Sequence, residues 1–326
     1  MLELPFTAAG QSLPDDVLIF GGSGSPNLTQ KVCDYLGVKP GQSEVIHFSE
    51  GNLFVRILQN VRGRAIYIIQ STAFPANDNF MELLFWIDAF KRASAASVTA
   101  IVPYLSYAKG DKKDEPRVSI RARVCADCLE ASGVDRVVTM DLHAPQLHGF
   151  FHVPVDDLYA LPVLCEAIQE KHLSDLVVVS PDTGFAKKAR KYATFLGAPL
   201  AIGDKERAAH DEKAEVLEII GDVRGRTAVV FDDFTISAGT LADVAVKLVE
   251  RGAKEVYAAV SHGVFAPGSM ERIDASPIRQ LLCTDTVETQ PVAFSEKVEV
   301  VSVAPLFAEA IRRIHRRESI SVLFPK

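Results

Sequence analysis

The residues best suited to chemistry lie within positions 227–253, TAVVFDDFTISAGTLADVAVKLVERGA. Two adjacent carboxylates, Asp232 and Asp233, follow an apolar run (Ala228, Val229, Val230, Phe231) that reads as a buried strand. Ser237, Ala238, Gly239 and Thr240 then make a small-residue turn. The helix after it is expected to carry Leu241, Val244, Leu248 and Val249 on its core side. A helix start carries about half a positive charge and unpaired N–H donors, which makes it a ready phosphate site. Ser237 and Thr240 add hydroxyl donors, and Gly239 lets the backbone approach a ligand closely. Asp232 and Asp233 are acceptors only, so they suit sugar hydroxyls or a metal. Phosphate donors beside hydroxyl acceptors point to a sugar phosphate. An ordinary strand–helix junction with a capping Thr and two solvated acids has the same spelling, so neighbouring motifs must decide.

Four other stretches carry candidate chemistry. Residues 107–123, YAKGDKKDEPRVSIRAR, form a basic loop after a predicted strand. Lys109, Lys112, Lys113 and Arg117 there suit a polyphosphate clamp, although a solvated surface loop reads similarly. Residues 137–151 place Asp141 and His143 two apart at a strand end, a plausible metal or phosphate contact, while His148 and His152 read as hydrogen-bonded core residues. In residues 177–199, Asp182 sits at a polar turn, Thr183 and Gly184 open a helix, and Lys187, Lys188, Arg190 and Lys191 crowd its first turns. Each cation at a helix start costs ~0.3–1 kcal/mol, which an anion would offset. Residues 204–216, DKERAAHDEKAEV, place Lys205 and Arg207 two apart. In an extended chain both face the same way, as a cationic flap over a transferring phosphoryl group would require; an exposed hairpin is the plainer alternative.

These residues need elements to hold them. Short β-branched runs at 17–20, 65–71, 98–104, 136–142, 175–180, 199–204, 227–232, 255–261 and 281–285 read as strands. Longer helical patterns such as 77–94 and 183–196 alternate with them. That alternation predicts an α/β fold with largely parallel sheets, whose ligands bind beyond the strand C-termini. A joint near residues 154–161 divides the chain into two such units, and the chain closes with an amphipathic helix (305–319) and a short apolar strand, SVLF (321–324). The sequence has 326 residues, enough for two domains, with 48% hydrophobic and 24% charged residues and a net charge of −7 that argues against a general nucleic-acid binder. No run approaches ~18 apolar residues and the N-terminus does not read as a secretory signal, so a cytoplasmic protein away from membranes is expected. Cys33, Cys125, Cys128, Cys165 and Cys283 are scattered, as suits reduced thiols; Cys125 and Cys128 fall inside a helical pattern with no second pair.

Taken together, the stretches IIQST, NDNFMELLFWIDAFKRASA, VPYLSYAKGDKKD, MDLHAPQLHGFF, VSPDTGFAKKARK, DKER, VVFDDFTISAGT and ESISVLF resemble the ribose-phosphate pyrophosphokinase (phosphoribosyl pyrophosphate synthetase) family, in order and over nearly the whole chain. The resemblance implies two phosphoribosyltransferase-like domains, each a mainly parallel sheet flanked by helices, related by a pseudo-two-fold with the active site between them. Residues 1–158 would form the N-terminal domain with the ATP-binding loops. Residues 159–305 would form the C-terminal domain with the ribose 5-phosphate loop and flap, and 306–326 would pack back on the N-terminal domain. It implies Mg2+ and a homo-oligomer, with a homohexamer favoured. The activity it implies is transfer of the β,γ-diphosphoryl group of ATP to the 1-hydroxyl of ribose 5-phosphate.

Carried over residue by residue, the resemblance makes Lys205 and Arg207 catalytic. Asp232, Asp233, Ile236, Ser237, Ala238, Gly239 and Thr240, with Arg207, would hold ribose 5-phosphate. Phe48, Glu50, Gly51, Asn52, Lys109, Gly110, Asp111, Lys113 and Arg117 would contact ATP, the first four from a neighbouring subunit. His143 and Asp182 match magnesium-associated positions. Lys109 and Gly110 stand where many members have Arg and Gln, Asn52 replaces a frequent Glu, Ile236 a frequent Asp, and Glu206 interrupts a basic run. Because a lysine lacks the bidentate guanidinium fork, nucleotide affinity or base preference is predicted to differ. A silent regulatory paralogue and a salvage phosphoribosyltransferase are the alternatives. Retention of Lys205, Arg207, His143, Asp182 and both aspartates argues against the first, and the basic loop and two-unit length against the second.

Overall fold

The structure, a computed structural model, describes residue 13, residues 16–207 and residues 215–324, with the backbone alone described at 205–207 and 215–217. The chain divides into two compact units: Met1–Tyr159 with Asp285–Thr289 and Ser302–Lys326, and Ala160–Thr284 with Gln290–Val301.

In the first unit the strands are β1 (Val17–Gly21), β2 (Ser43–His47), β3 (Leu53–Ile57), β4 (Ala65–Ile69), β5 (Ser97–Val102), β6 (Arg136–Met140) and β7 (Val155–Leu158). Five form a parallel sheet in the order β1-β4-β5-β6-β7, and β2 and β3 make a separate antiparallel hairpin. Helices α1 (Pro26–Leu36), α2 (Ala76–Arg92) and α3 (Arg121–Ala131) lie in the same unit. Parallel strands covered on both faces favour unbroken apolar runs, and β4 is one: Ile66, Tyr67, Ile68 and Ile69 are all buried. The buried residues of α2 include Phe80, Leu83, Trp86, Ile87 and Phe90, which recur at helical spacing. Trp86 stacks on Phe90 with ring centroids 5.7 Å apart, and Phe90 meets Phe20 of β1 at 4.7 Å.

The second unit has α4 (Leu161–Glu170), β8 (Leu176–Ser180), α5 (Ala186–Leu196), β9 (Leu200–Arg207), β10 (Glu215–Ile220), β11 (Thr227–Thr235), α6 (Gly239–Glu250), β12 (Glu255–Gly263), α7 (Ser269–Ala275), β13 (Ile278–Thr284) and β14 (Val298–Val301). Its seven-stranded sheet runs β10-β9-β8-β11-β12-β13-β14, parallel except for β10. The apolar heart of β11, Ala228 to Phe231, is fully buried between β8 and β12. That placement sets the following turn at the C-terminal edge of the sheet, where open α/β sheets bind ligands.

The last helix, α8 (Ala304–His315), belongs to the first unit and packs on α1. Leu306, Phe307 and Ile311 on it are fully buried, each worth roughly 1.5–3 kcal/mol. Glu309, also buried, is held by Arg312 at 2.5 Å and Arg313 at 2.6 Å. Segment 285–289 supplies a remote cap: the Glu288 carboxylate accepts from Asn27 N–H at 2.9 Å and Leu28 N–H at 2.6 Å, while the N-cap residue Ser25 makes no side-chain cap bond. An anion among the orphan donors of a helix start is stabilising. Glu288→Ala should therefore cost about 1–2 kcal/mol. Urea denaturation would read the loss, and amide exchange should quicken in the first turn of α1 before it does in β4.

Several expectations change. Val249 is 47% exposed and stands outside the core face of α6. Segment 321–324 is not a strand; Ser321–Leu323 forms a 3-10 turn, with Leu323 buried by itself. His148 and His152 are exposed, not core residues. His148 lies 3.7 Å from Asp157, whose carboxylate raises its pKa. Strand β9 continues past Asp204 to Arg207, so Lys205 and Arg207 lie on an extended backbone paired with β10.

Candidate active site

β11 runs to Thr235, so Asp232 and Asp233 lie inside its last turn of pleat and not beyond it. Successive strand residues face opposite ways, and the pair differs accordingly: Asp233 is buried and Asp232 is partly exposed. Asp232 Oδ1 accepts the Asp233 N–H at 2.9 Å, and Asp233 Oδ1 accepts the Phe234 N–H at 3.0 Å. The Lys188 ammonium sits 3.6 Å from Asp233 and 5.9 Å from the centre of the Phe185 ring. Lys188 is one of the cations the α5 dipole disfavours, and a carboxylate of the same unit supplies its anion.

Burial, and next the charge of Asp233, push the Asp232 carboxyl up to about 8 from 3.8. A carboxyl whose folded value is raised holds its proton better in the folded state. The associated stability is present below about pH 4 and is lost as pH rises through about 8. Asp232→Asn keeps an acceptor for the Asp233 N–H but removes the titration. Between pH 5 and 9 the unliganded wild type should lose stability relative to this variant, on the order of a few kcal/mol. Parallel urea midpoints across that range would show it; a constant difference would refute it.

The turn after β11 is shaped for close approach. Ala238, the N-cap of α6, is buried with φ of 59°, a left-handed conformation that costs a non-glycine residue roughly 1–2 kcal/mol. The Gly239 N–H reaches Ser237 Oγ at 3.4 Å. Ile236 and Ser237 are exposed, and Gly239 and Thr240 are partly so. The α6 start thus points its first-turn N–H groups out of the helix a few residues beyond two carboxylates. Asp182 belongs to the same neighbourhood, since its charge also raises Asp232. It is exposed, and its Oδ1 accepts the Phe185 N–H at 2.9 Å while its carbonyl accepts from Ser180 Oγ at 2.7 Å. A carboxylate offers about four acceptor positions, so this one bond orients Asp182 without exhausting it.

The first unit holds the other candidates. Lys109, Lys113 and Arg117 are exposed on the loop between β5 and α3, and Asp111 accepts from Gln146 Nε2 at 2.6 Å. Gly110 is buried; a Cβ there would lie 2.6 Å from Arg121 Nε and 2.9 Å from Arg121 Cβ. Only glycine fits that position without moving Arg121. At the end of β6, Asp141 is buried with φ of 44° and His143 is exposed. The strand alternation that would set both on one face does not continue through that left-handed residue. Phe48, Glu50, Gly51 and Asn52 form the exposed tip of the β2–β3 hairpin, closed by Phe48 N–H on the Asn52 carbonyl at 2.8 Å. Lys205 and Arg207 pair through their backbones with Leu217 and Glu215. Their side chains, and residues 208–214 of the expected flap, lie outside the described residues. Among the described residues no three His, Cys, Asp or Glu side chains are grouped to hold a metal.

Residues 17–133 match the N-terminal domain of ribose phosphate pyrophosphokinase, and residues 205–325 match the phosphoribosyl synthetase-associated domain. The chain is 48% identical to a ribose-phosphate pyrophosphokinase of Caldanaerobacter subterraneus subsp. tengcongensis, covering 94% of this chain and 97% of that one. It is 47% identical to the Clostridium tetani ribose-phosphate pyrophosphokinase, over 94% and 96% respectively. The chain belongs to the ribose-phosphate pyrophosphokinase family. Its fold superposes on the crystal structure of phosphoribosylpyrophosphate synthetase from Mycobacterium smegmatis with a TM-score of 0.87, at 37% identity, covering 92% of this chain and 99% of that one.

For a ribose-phosphate pyrophosphokinase, the second unit brings together Asp182, Asp232, Asp233 and the 236–240 turn, and adds Lys188 as the partner of Asp233. The crowding of cations at the start of α5 was the signal for Lys188; which of the four found the carboxylate depends on the helix phase. Gln146, bonded to Asp111, carried no sequence signal at all.

Proposed function

We propose that the chain transfers the β,γ-diphosphoryl group of ATP to the 1-hydroxyl of D-ribose 5-phosphate, giving AMP and 5-phosphoribosyl 1-diphosphate. The observation that carries this is the end of β11, where a carboxylate pair and the start of α6 stand side by side in a chain collinear with ribose-phosphate pyrophosphokinases. Asp232 and Asp233 accept from ribose hydroxyls, and residues 236–240 surround the 5-phosphate with backbone N–H groups and the hydroxyls of Ser237 and Thr240. Phosphoryl chemistry asks mainly for positioning and charge neutralisation. Lys205 and Arg207 are assigned to the charge growing on the transferring group. Lys109, Gly110, Asp111, Lys113 and Arg117 are assigned to ATP, with Phe48, Glu50, Gly51 and Asn52 contributed by a second copy in a homo-oligomer.

Magnesium is bound through one or two carboxylates together with substrate phosphates. The exposed, oriented carboxylate of Asp182 suits that donor set, and the exposed His143 is assigned to the magnesium as well. When bound, the ion neutralises and polarises the phosphates. No helix is long and apolar enough to cross a membrane among the described residues, and we place the enzyme in the cytoplasm. The test supplies ribose 5-phosphate, ATP and magnesium and follows AMP. Stoichiometric AMP and 5-phosphoribosyl 1-diphosphate are expected; absence of AMP overturns the reading.

A further inference from the structure

Three consecutive carbonyls of the 235–237 segment are tied to the chain that follows β12. Thr235 accepts from Val264 N–H at 3.0 Å and Ile236 from Ala266 N–H at 2.8 Å. Ser237 accepts from the guanidinium of Arg272, on α7, at 2.5 Å. In a planar trans peptide the C=O and the next N–H point in opposite directions. The N–H groups of Ile236, Ser237 and Ala238 are therefore each turned away from the partner of the preceding carbonyl. Two of the ties are backbone bonds that almost any sequence would supply. The third depends on one side chain, and it fixes the peptide that leads into the left-handed Ala238. A strained residue persists only where its surroundings over-determine it.

Arg272 stands on a firm base. Its neighbours Met270 and Ile273 are buried. The Lys297 ammonium closes the α7 C-terminus by donating to the carbonyls of Ile273 at 3.2 Å, Asp274 at 2.9 Å and Ser276 at 2.9 Å. Arg272 itself is exposed, and its Nη1 would lie 3.8 Å from a Cβ placed on Gly239.

We propose that Arg272 is a positioning residue of the sugar-phosphate turn: by holding the Ser237 carbonyl it aims the Ala238 N–H at the 5-phosphate of the bound pentose. The inference rests on the assignment of residues 236–240 to that phosphate. Lys205 and Arg207 act on the group being transferred; Arg272 acts on the tail of the acceptor sugar, through the backbone.

The test compares wild type, Arg272→Met and Arg272→Lys by steady-state kinetics in both substrates, by calorimetric binding of ribose 5-phosphate alone, and by thermal unfolding. Arg272→Met keeps an unbranched stem but loses every donor. It should raise KM and Kd for ribose 5-phosphate about tenfold to a hundredfold, the range for losing a charged hydrogen bond. KM for ATP and the unfolding midpoint should hold, and kcat should move less than KM. Arg272→Lys should recover part of the loss, since an ammonium reaches the carbonyl as a single point donor. A wild-type KM in Arg272→Met overturns the inference. So does a loss shared by both substrates with a lowered midpoint and no recovery in Arg272→Lys. If Arg272→Met does not fold, Arg272→Lys decides: a selective rise in KM for ribose 5-phosphate supports the role, and wild-type constants reject it. A wild type that binds ribose 5-phosphate but forms no AMP defeats the proposed reaction and leaves Arg272 to be judged by calorimetry. A wild type that binds none overturns both.

Discussion

Lys205→Ala should lower kcat about a thousandfold, with KM for ATP and ribose 5-phosphate changing only a few-fold. The expectation follows from what phosphoryl transfer needs. The reacting oxygens bring their own nucleophile and leaving group, so the protein contributes mainly fixed positive charge where negative charge develops. A cation that meets charge only at the transition state lowers the barrier without tightening ground-state binding, and its removal shows in kcat and kcat/KM alike. Lys205 sits in the last residues of β9, on a backbone braced by β10. Arg207→Ala should be milder in kcat and heavier in KM for ribose 5-phosphate, because its assignment includes that substrate. Steady-state assay of AMP release at saturating substrate is the measurement. A Lys205→Ala enzyme within about tenfold of wild type would remove the lysine from the catalytic group.

Trp86→Ala is expected to be the most damaging single truncation in the first unit, at about 3–5 kcal/mol for the cavity alone. Trp86 is fully buried in α2, stacked on Phe90. Its Nε1–H donates at 3.0 Å to Oε1 of Glu82, a carboxylate only 1% exposed. The same oxygen accepts the Ser23 N–H at 2.9 Å, just beyond β1. Alanine therefore opens a cavity and also takes a donor from a buried carboxyl group, which adds about 1–3 kcal/mol. Trp86→Phe would fill most of the volume and lose only the donor, so the difference between the two variants separates packing from hydrogen bonding. Urea denaturation midpoints measure both; an alanine variant within about 1 kcal/mol of wild type would contradict the packing described.

The parallel sheets were legible because fully buried strands such as β4 and β11 are unbroken apolar runs. The β2–β3 hairpin was not, because β2 is only partly buried along its length and β3 alternates partly buried with exposed residues, so neither is an unbroken buried run. The polar continuation of β9 into Asp204–Arg207 was obscured for a related reason: its pairing comes from β10, a partner the local spelling does not announce. At the site, the acidic pair and small-residue turn could be read from residue types, since the chemistry needs those types. Their environments could not. That Asp232 should be pushed toward neutrality while its neighbour meets Lys188 depends on which face of the strand each occupies. Val249 failed as a core residue in the same way, being apolar yet on the outer side of α6.

The path of the chain has one further consequence. It leaves the first unit after Tyr159 and returns to it only for residues 285–289 and 302–326. Synthesis on the ribosome runs from the N-terminus, so residues 160–301 are all made before α8 exists. Until then α1 lacks the helix that covers it and the Asp285–Lys31 ion pair lacks its brace, the Val303 N–H on Asp285 at 2.8 Å. The unit begun first is the one finished last, and a released chain ending near residue 301 should hold every residue of the second unit but an unfinished first one.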